Sequence, residues 1–155
     1  MPEAFEEKFV ATADKPALIA CTQSAVNLAA QKALRGLKYK VHTVSDHDNF
    51  TVSFSQTRYH VVVMEELFAC EKLEENLSLR ALQNMPVDER RHATIILLGE
   101  AFITFDAMQA FRKSVHAVVN ISEIALLKPL VERAVTDNDA FLHNYREVQT
   151  YVARF

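Results

Sequence analysis

The chain has 155 residues, half of them hydrophobic, with ten phenylalanines and a formal net charge of −3 at pH 7. This length predicts a single domain with a short extension, and the apolar share is sufficient for a sizeable core. The acidic balance and the lack of a basic cluster in the sequence argue against nucleic-acid binding. No apolar run approaches the roughly 20 residues that span a bilayer, so no membrane segment is expected.

Cysteine and glycine usage exclude further classes. Cys21 and Cys70 lie far apart and form no C-x-x-C motif, which argues against a disulfide framework or a zinc ribbon. With Gly36 and Gly99 as its only glycines, the chain cannot build a glycine-rich phosphate loop. Residues 1–14 are acidic and lack a long apolar segment, so they predict a leader and not a secretory signal. The expected setting is a reduced bacterial cytoplasm, and no cofactor or metal is predicted.

Five short apolar runs have the length of strands. They occupy residues 17–21, after Pro16, and then 40–45, 60–64, 94–98 and 115–119. Continuous apolar runs are typical of parallel strands that are covered on both faces. The run from His60 to Met64, rich in β-branched residues, is the clearest of the five.

Amphipathic stretches between these runs predict helices. The first covers residues 23–37, with Gly36 as a left-handed cap, and the second ends near residue 57 after a cap at Asp48 or Asn49. Two more cover residues 74–83 and 105–114, the latter capped by Thr104.

Two further helices are predicted after the fifth run. Ser122 is placed as the cap of the first, which Pro129 either kinks or starts. The last begins near Asn138 and continues to the end of the chain.

The alternation of strands and helices predicts an α/β fold, a three-layer, doubly wound, parallel sheet of five strands. In such folds ligands bind outside the carboxyl ends of the strands. The residues predicted at that edge are Cys21, Thr22, Glu65, Glu66, Gly99, Asn120 and Ile121.

Two segments carry a resemblance to a known family. LKYKVHTVSD is similar to the L-G-Y-x-V-x-x-A-x-D segment of response-regulator receiver domains, and RYHVVVMEE is similar to their P-D-L-V-L-L-D strand. Residues 16–135 therefore resemble a receiver, which implies a flavodoxin-like sheet with strand order 2-1-3-4-5. The resemblance places Glu65 at the phosphoaccepting aspartate. It places the receiver's paired acids at Cys21 and Thr22, its hydroxyl residue at Leu98 or Gly99, and its lysine at Asn120 or Ile121.

These positions have lost the receiver's phosphorylation chemistry. Mg²⁺ needs several oxygen ligands, and Cys21 and Thr22 provide no carboxylate. Neither Asn120 nor Ile121 can neutralise phosphoryl charge as a lysine does. The resemblance thus implies a non-enzymatic pseudo-receiver that acts in signalling or protein interaction without phosphorylation.

Three alternatives stay open for this edge. Glu65 could imitate a permanently charged acceptor, the chain could be phosphorylated by an unusual route, or the crevice could serve a ligand or an enzymatic reaction. The predicted organisation is a leader at 1–14, a receiver-like domain at 15–136 and a C-terminal helical extension at 137–155.

Other clusters have a structural and a functional interpretation. Cys21 and Cys70 could form a redox pair, or be a core residue and a loop thiol. Asp46, His47 and Asp48 could bind a metal, although a solvated turn is favoured. His60 and His116 are interpreted as structural. The acidic residues that could form either a solvated rim or a docking site for a basic partner are Glu65, Glu66, Glu71, Glu74 and Glu75.

The last predicted helix carries an apolar seam, which consists of Phe141, Tyr145, Val148, Val152 and Phe155. Its spacing of four, three, four and three is typical of a heptad. Because a receiver has five helices, this sixth helix is interpreted as an extra C-terminal element. The seam could pack on its own domain, pair with a second copy as a homodimer, or bind a partner protein.

Overall fold

The computed structural model describes residues 15–86 and 92–153. Five parallel strands form one sheet with the order β2-β1-β3-β4-β5, as predicted. The strands are β1 (Pro16–Ala20), β2 (Lys40–Val44), β3 (Val61–Glu65), β4 (Thr94–Gly99) and β5 (Ala117–Asn120).

Helices cover both faces of the sheet. They are α1 (Ser24–Gly36), α2 (His47–Gln56), α3 (Leu77–Asn84), α4 (Ala107–Lys113) and α5 (Leu127–Ala153), with short 3-10 helices at Leu73–Glu75 and Ile121–Leu126. The apolar sides of α1 and α5 form one core layer with the sheet. Those of α2, α3 and α4 form the other. The predicted three-layer, doubly wound fold is confirmed.

The middle strand is the most deeply buried part of the sheet. All five residues of β3 are buried, and the strand lies between β1 and β4. Val61 and Val63 contact one core layer while Val62 and Met64 contact the other. A strand that is apolar on both sides suits this position because helices exclude water from both faces.

Two helix caps differ from the prediction. Asp46, and not Asp48 or Asn49, caps α2, since its carboxylate accepts the Asn49 N–H at 2.7 Å. Asp106, and not Thr104, caps α4 in the same way, through the Gln109 N–H at 2.9 Å. In both cases the cap is the residue with extended backbone directly before the helix, which lets its side chain reach back to the third helical N–H.

The end of α1 also differs from the prediction. Gly36 stays helical, and the left-handed residue is Lys38, with a φ of 71°. The N–H groups of Lys38 and Tyr39 donate to the carbonyls of Arg35 and Leu34 at 3.0 and 3.1 Å, which closes the helix with a Schellman-type turn. A Cβ added to Gly36 would lie 3.4 Å from a side chain on α5, so this glycine lies where the two helices approach each other.

The C-terminal region is one continuous helix of 27 residues. The segment predicted to start anew near Asn138 is the continuation of α5, so the extra helix of the prediction is an extension of the fifth. Pro129 lies in the first turn, where its missing N–H has no helical acceptor. Ser122 falls within the preceding 3-10 helix, which Asn120 caps. The leader at 1–14 and Phe155 lie outside the described residues.

The extension leaves the domain at the amino-terminal edge of the sheet. Asn138 is buried and its Nδ2 donates to the hydroxyl of Thr94, the first residue of β4, at 3.1 Å. Asp139 lies 3.7 Å from His60, directly before β3. Helix α5 therefore runs antiparallel to the strands, and the part after Asp139 projects beyond the sheet. Within the described ranges, no helix combines the length and apolarity that crossing a membrane requires.

Candidate functional site

The carboxyl ends of β3 and β4 border a crevice of about 230 Å³. Five of the residues predicted at this edge line it, namely Glu65, Glu66, Leu98, Gly99 and Ile121. The other crevice residues include Gln23 and Glu100. Cys21, Thr22 and Asn120 are at the same edge but are engaged elsewhere.

Glu65 is tied to the start of α1. Its Oε1 accepts the backbone N–H of Gln23 at 2.8 Å, and its Oε2 accepts the Gln23 side-chain amide at 2.9 Å. The Glu65 side chain is only 3% exposed. Gln23 occupies the cap position of α1 without capping it, since its amide is directed at the carboxylate. The pair joins the β1–α1 connection to the end of β3, so the acid does not project freely into solvent.

Cys21 and Thr22, the residues predicted at the position of the receiver's acid pair, are both poorly placed to bind a metal. Cys21 is buried, and burial, assisted by the negative charge of Glu65, raises the pKa of its thiol well above the ordinary range. The hydroxyl of Thr22 accepts the N–H of Ala69 at 2.8 Å, which fixes the loop after β3. A neutral thiol and an engaged hydroxyl are poor ligands for a hard divalent cation.

The two cysteines are both free thiols. Burial is also the main cause that raises the pKa of Cys70, with the nearby charge of Glu75 second. Since the thiolate is the reactive form, both environments lower the reactivity that a redox pair would need.

Asn120 organises the loop between β4 and α4. Its side-chain amide donates to the carbonyls of Glu100 and Phe102 at 3.2 and 2.8 Å. Its oxygen accepts from the N–H and the hydroxyl of Ser122 at 2.9 and 2.7 Å. The hydroxyl of Thr104 accepts the Asn120 N–H at 3.0 Å. Asn120, one of the two residues predicted at the position of the receiver's lysine, thus fixes a loop through its side chain.

Two further contacts shape the crevice. Glu66 pairs with Lys113 of α4 at 3.5 Å. A Cβ added to Gly99 would lie 2.7 Å from the ring of Phe102, so only glycine lets that ring pack under the end of β4. Gln23 and Lys113 were not predicted from the sequence. Their partners, Glu65 and Glu66, are tens of residues away, and no local sequence pattern indicates such pairs.

The turn at residues 46–48 has a structural role. Asp46 is the α2 cap described above, and the His47 Nδ1 lies 2.7 Å from the Ser78 hydroxyl. In the part of the chain that the structure describes, no three acidic, histidine or cysteine side chains form a group that could hold a metal.

The remaining predicted clusters divide between buried and exposed positions. Glu71, Glu74 and Glu75 are exposed, unlike Glu65. The Nδ1 of His60 lies 3.0 Å from the Tyr39 hydroxyl, and that of His116 lies 2.9 Å from the Ile95 N–H. Both histidines therefore make contacts within the fold, as a structural role requires.

The seam lies at the opposite end of the domain from the crevice. Phe141 and Tyr145 are 46% and 40% exposed, and Val148 and Val152 are 60% and 63% exposed. The two aromatic rings stack with centroids 6.3 Å apart. Four large apolar side chains on one helix face form a larger apolar surface than a solvated helix normally carries.

No protein-family model and no curated protein matches the sequence. Solved structures do match. A response regulator from Thermotoga maritima has a TM-score of 0.61 at 12% identity, over 79% of this chain and 98% of its own. The receiver domain of an HD-domain protein from Pseudomonas fluorescens Pf-5 has a TM-score of 0.57 at 17% identity, over 89% and 96%.

A fusion protein carrying the trimeric coiled coil of yeast Spc42 matches with a TM-score of 0.63 at 18% identity, over 86% of this chain and 83% of its own. At identities this low, the structural similarity shows the fold alone. The chain has a receiver-like fold, shared with the receiver domains of signalling proteins.

Proposed function

We propose that the protein is a non-enzymatic pseudo-receiver, a protein-interaction module that works without phosphorylation. The observation that carries the proposal is the state of Glu65. Its carboxylate is buried and both of its oxygens accept hydrogen bonds from Gln23. An acceptor carboxylate has to approach a phosphoryl donor, and this one is committed to holding the β1–α1 connection.

The neighbouring positions support the same conclusion. Phosphoryl transfer depends on groups that stabilise charge as it develops, usually a metal ion and a cation. Cys21 is buried as a neutral thiol, and the side-chain amide of Asn120 donates its hydrogen bonds to loop carbonyls. The side chains at this edge therefore stabilise the fold, and we infer that the edge contributes to function through its shape.

The experiment for this part is phosphorylation with a small donor. Incubation of the chain with Mg²⁺ and acetyl phosphate is expected to add no phosphoryl group by intact mass, and beryllofluoride is expected to leave the spectrum of backbone amides unchanged. Glu65→Asp is the matched variant, since it shortens the acid but leaves Cys21 and Thr22 in place of the paired acids, and it should also stay unlabelled. Stoichiometric, Mg²⁺-dependent labelling at Glu65 would falsify the proposal and favour phosphorylation by an unusual route.

The interaction surface in this proposal is the seam on the α5 extension, with a second copy as the preferred occupant. Burying a large apolar side chain contributes roughly 1.5–3 kcal/mol, so the exposed part of four such residues favours association. The similarity to the Spc42 fusion, which carries a trimeric coiled coil, supports an oligomerisation role for the extension.

Sedimentation tests this surface. The full chain is expected to form a dimer, and a chain ending at Ala140, which keeps the buried Asn138, to be a folded monomer. Val148→Ser should weaken the dimer, while Val52→Ser, at a half-exposed valine on α2, is the matched control and should not. A full-length monomer at high concentration would contradict self-association and leave a partner protein as the occupant.

A further inference from the structure

The seam continues a stripe of residues that is buried in the amino-terminal half of α5. Leu127, Val131, Ala134 and Asn138 are buried against the domain, with spacings of four, three and four. Three residues after Asn138 the seam begins, with the same spacing from Phe141 to Val152. Both stripes therefore lie on the same side of α5, and the seam faces the space directly beyond the sheet.

This geometry restricts how a second helix can approach. Consider a helix of a second copy that packs on the seam and runs parallel to α5. About one turn before Phe141 it would occupy the same space as the sheet that covers Asn138. It would meet β4, whose Thr94 hydroxyl lies 3.1 Å from the Asn138 side chain. A helix that runs in the opposite direction avoids this collision, because its own domain lies beyond the far end of the extension.

The order of side chains along the seam favours the same direction. The first two described residues are aromatic and stack on each other, and the last two are valines. In an antiparallel pair centred between Arg146 and Glu147, Phe141 faces Val152 of the second copy and Tyr145 faces its Val148. Each layer then combines one large and one small side chain, as close packing requires. A parallel pair in register would stack aromatic on aromatic and valine on valine.

Charge and area point to a second copy as the occupant. The positions that flank the seam hold uncharged side chains, namely Leu142, Asn144, Gln149 and Tyr151. Two identical helices can therefore approach without like-charge repulsion. With each aromatic side chain able to bury about 150–250 Å², the exposed parts of the seam and of Tyr151 in two copies reach on the order of 1,000 Å², the lower bound for a specific interface.

We propose that two copies of the chain associate through antiparallel α5 extensions, with a twofold axis perpendicular to the helices between Arg146 and Glu147. This inference rests on the proposed function, because it assumes the homodimer. It adds the direction, the register and the residue pairs. An isologous contact requires that each pair occurs twice, once on either side of the axis.

A charge exchange tests the direction within a single chain. Phe141→Glu and Val152→Lys, made separately, should each raise the dissociation constant of the dimer about tenfold or more, because each leaves a charge facing an apolar side chain. The double variant Phe141→Glu/Val152→Lys should recover most of that loss. In the antiparallel pair the introduced acid faces the introduced base of the other copy twice, whereas in a parallel pair like charges would meet.

The control is Phe141→Glu/Val148→Lys, which carries the same charges in layers that do not face each other and should stay weak. Analytical ultracentrifugation gives the dissociation constants, and thermal unfolding verifies that each variant is folded. Recovery in the first double variant alone supports the inference. A wild-type dimer whose double variants are equally weak overturns the direction but leaves the homodimer intact, while a wild-type monomer overturns both.

Discussion

Removing the Gln23 amide should destabilise the protein through Glu65. Gln23→Ala keeps the backbone hydrogen bond to Oε1 but removes the one to Oε2. A hydrogen bond to a charged group contributes about 1.5–3 kcal/mol, and a buried acceptor that loses its partner also keeps its desolvation cost. Because Glu65 borders the crevice, a water molecule can replace part of the loss, so we expect about 2 kcal/mol. For a chain of this size that lowers Tm by about 4–8 °C.

The measurement is urea unfolding followed by circular dichroism, with Gln31→Ala as the control. Gln31 lies on the same helix and donates only to Asn27, at 2.6 Å. Its truncation should change the free energy of unfolding by less than about 0.5 kcal/mol. In a Glu65→Ala background, Gln23→Ala should lose most of its effect. The reasoning is refuted if Gln23→Ala costs no more than Gln31→Ala, or if the coupling between Gln23 and Glu65 is below about 0.5 kcal/mol.

Three other expectations follow from burial and close contacts. Val62→Asp buries an unpaired charge in the fully buried β3 and should cost several kcal/mol; a near-wild-type melting temperature would show the strand assignment to be wrong. Gly99→Ala forces a Cβ to 2.7 Å from the Phe102 ring and should lower the free energy of unfolding by about 1–3 kcal/mol. Gly36→Ala meets only a flexible lysine side chain and should raise the free energy of unfolding by up to about 1 kcal/mol. Equal effects of the two variants in denaturant titrations would contradict these contacts. Burial lowers the pKa of His60 below its ordinary 6.5, so the unfolded chain binds the proton more readily and the free energy of unfolding should fall as the pH drops below about 6.5. A His60→Asn variant should show a flatter dependence of stability on pH. An unchanged dependence would contradict the role given to His60.

The strands and their order were predictable because the signal is local and strong. A run such as Val61–Met64, apolar on both sides, has few places in a fold other than the middle of a covered parallel sheet. Helix starts were less predictable. Asp46, Asp48 and Asn49 are all competent caps, and only the backbone conformation of the folded chain selects Asp46.

The continuity of α5 was missed because Thr136, Asp137 and Asn138 in its middle have low helix propensity and are competent caps, so the stretch has the composition of a helix boundary. Pro129 suits either a kink or a first turn, and only the preceding 3-10 helix decides between them. The placement of Glu65, Gly99 and Asn120 at one edge of the sheet was predictable, because it follows from where the parallel strands end. The clamp at Gln23 was not, since Gln23 and Glu65 are 42 residues apart and nothing in either local sequence links them.

The exit of α5 at the amino-terminal edge of the sheet has a consequence for how two copies would present their crevices. In one chain the crevice and the seam are separated by the whole length of the strands, so a molecule seated at one leaves the other accessible. In the antiparallel dimer the two crevices lie at opposite poles and open in opposite directions. Such an assembly is suited to bridging two separate partners, and a single compact ligand could not engage both crevices at once.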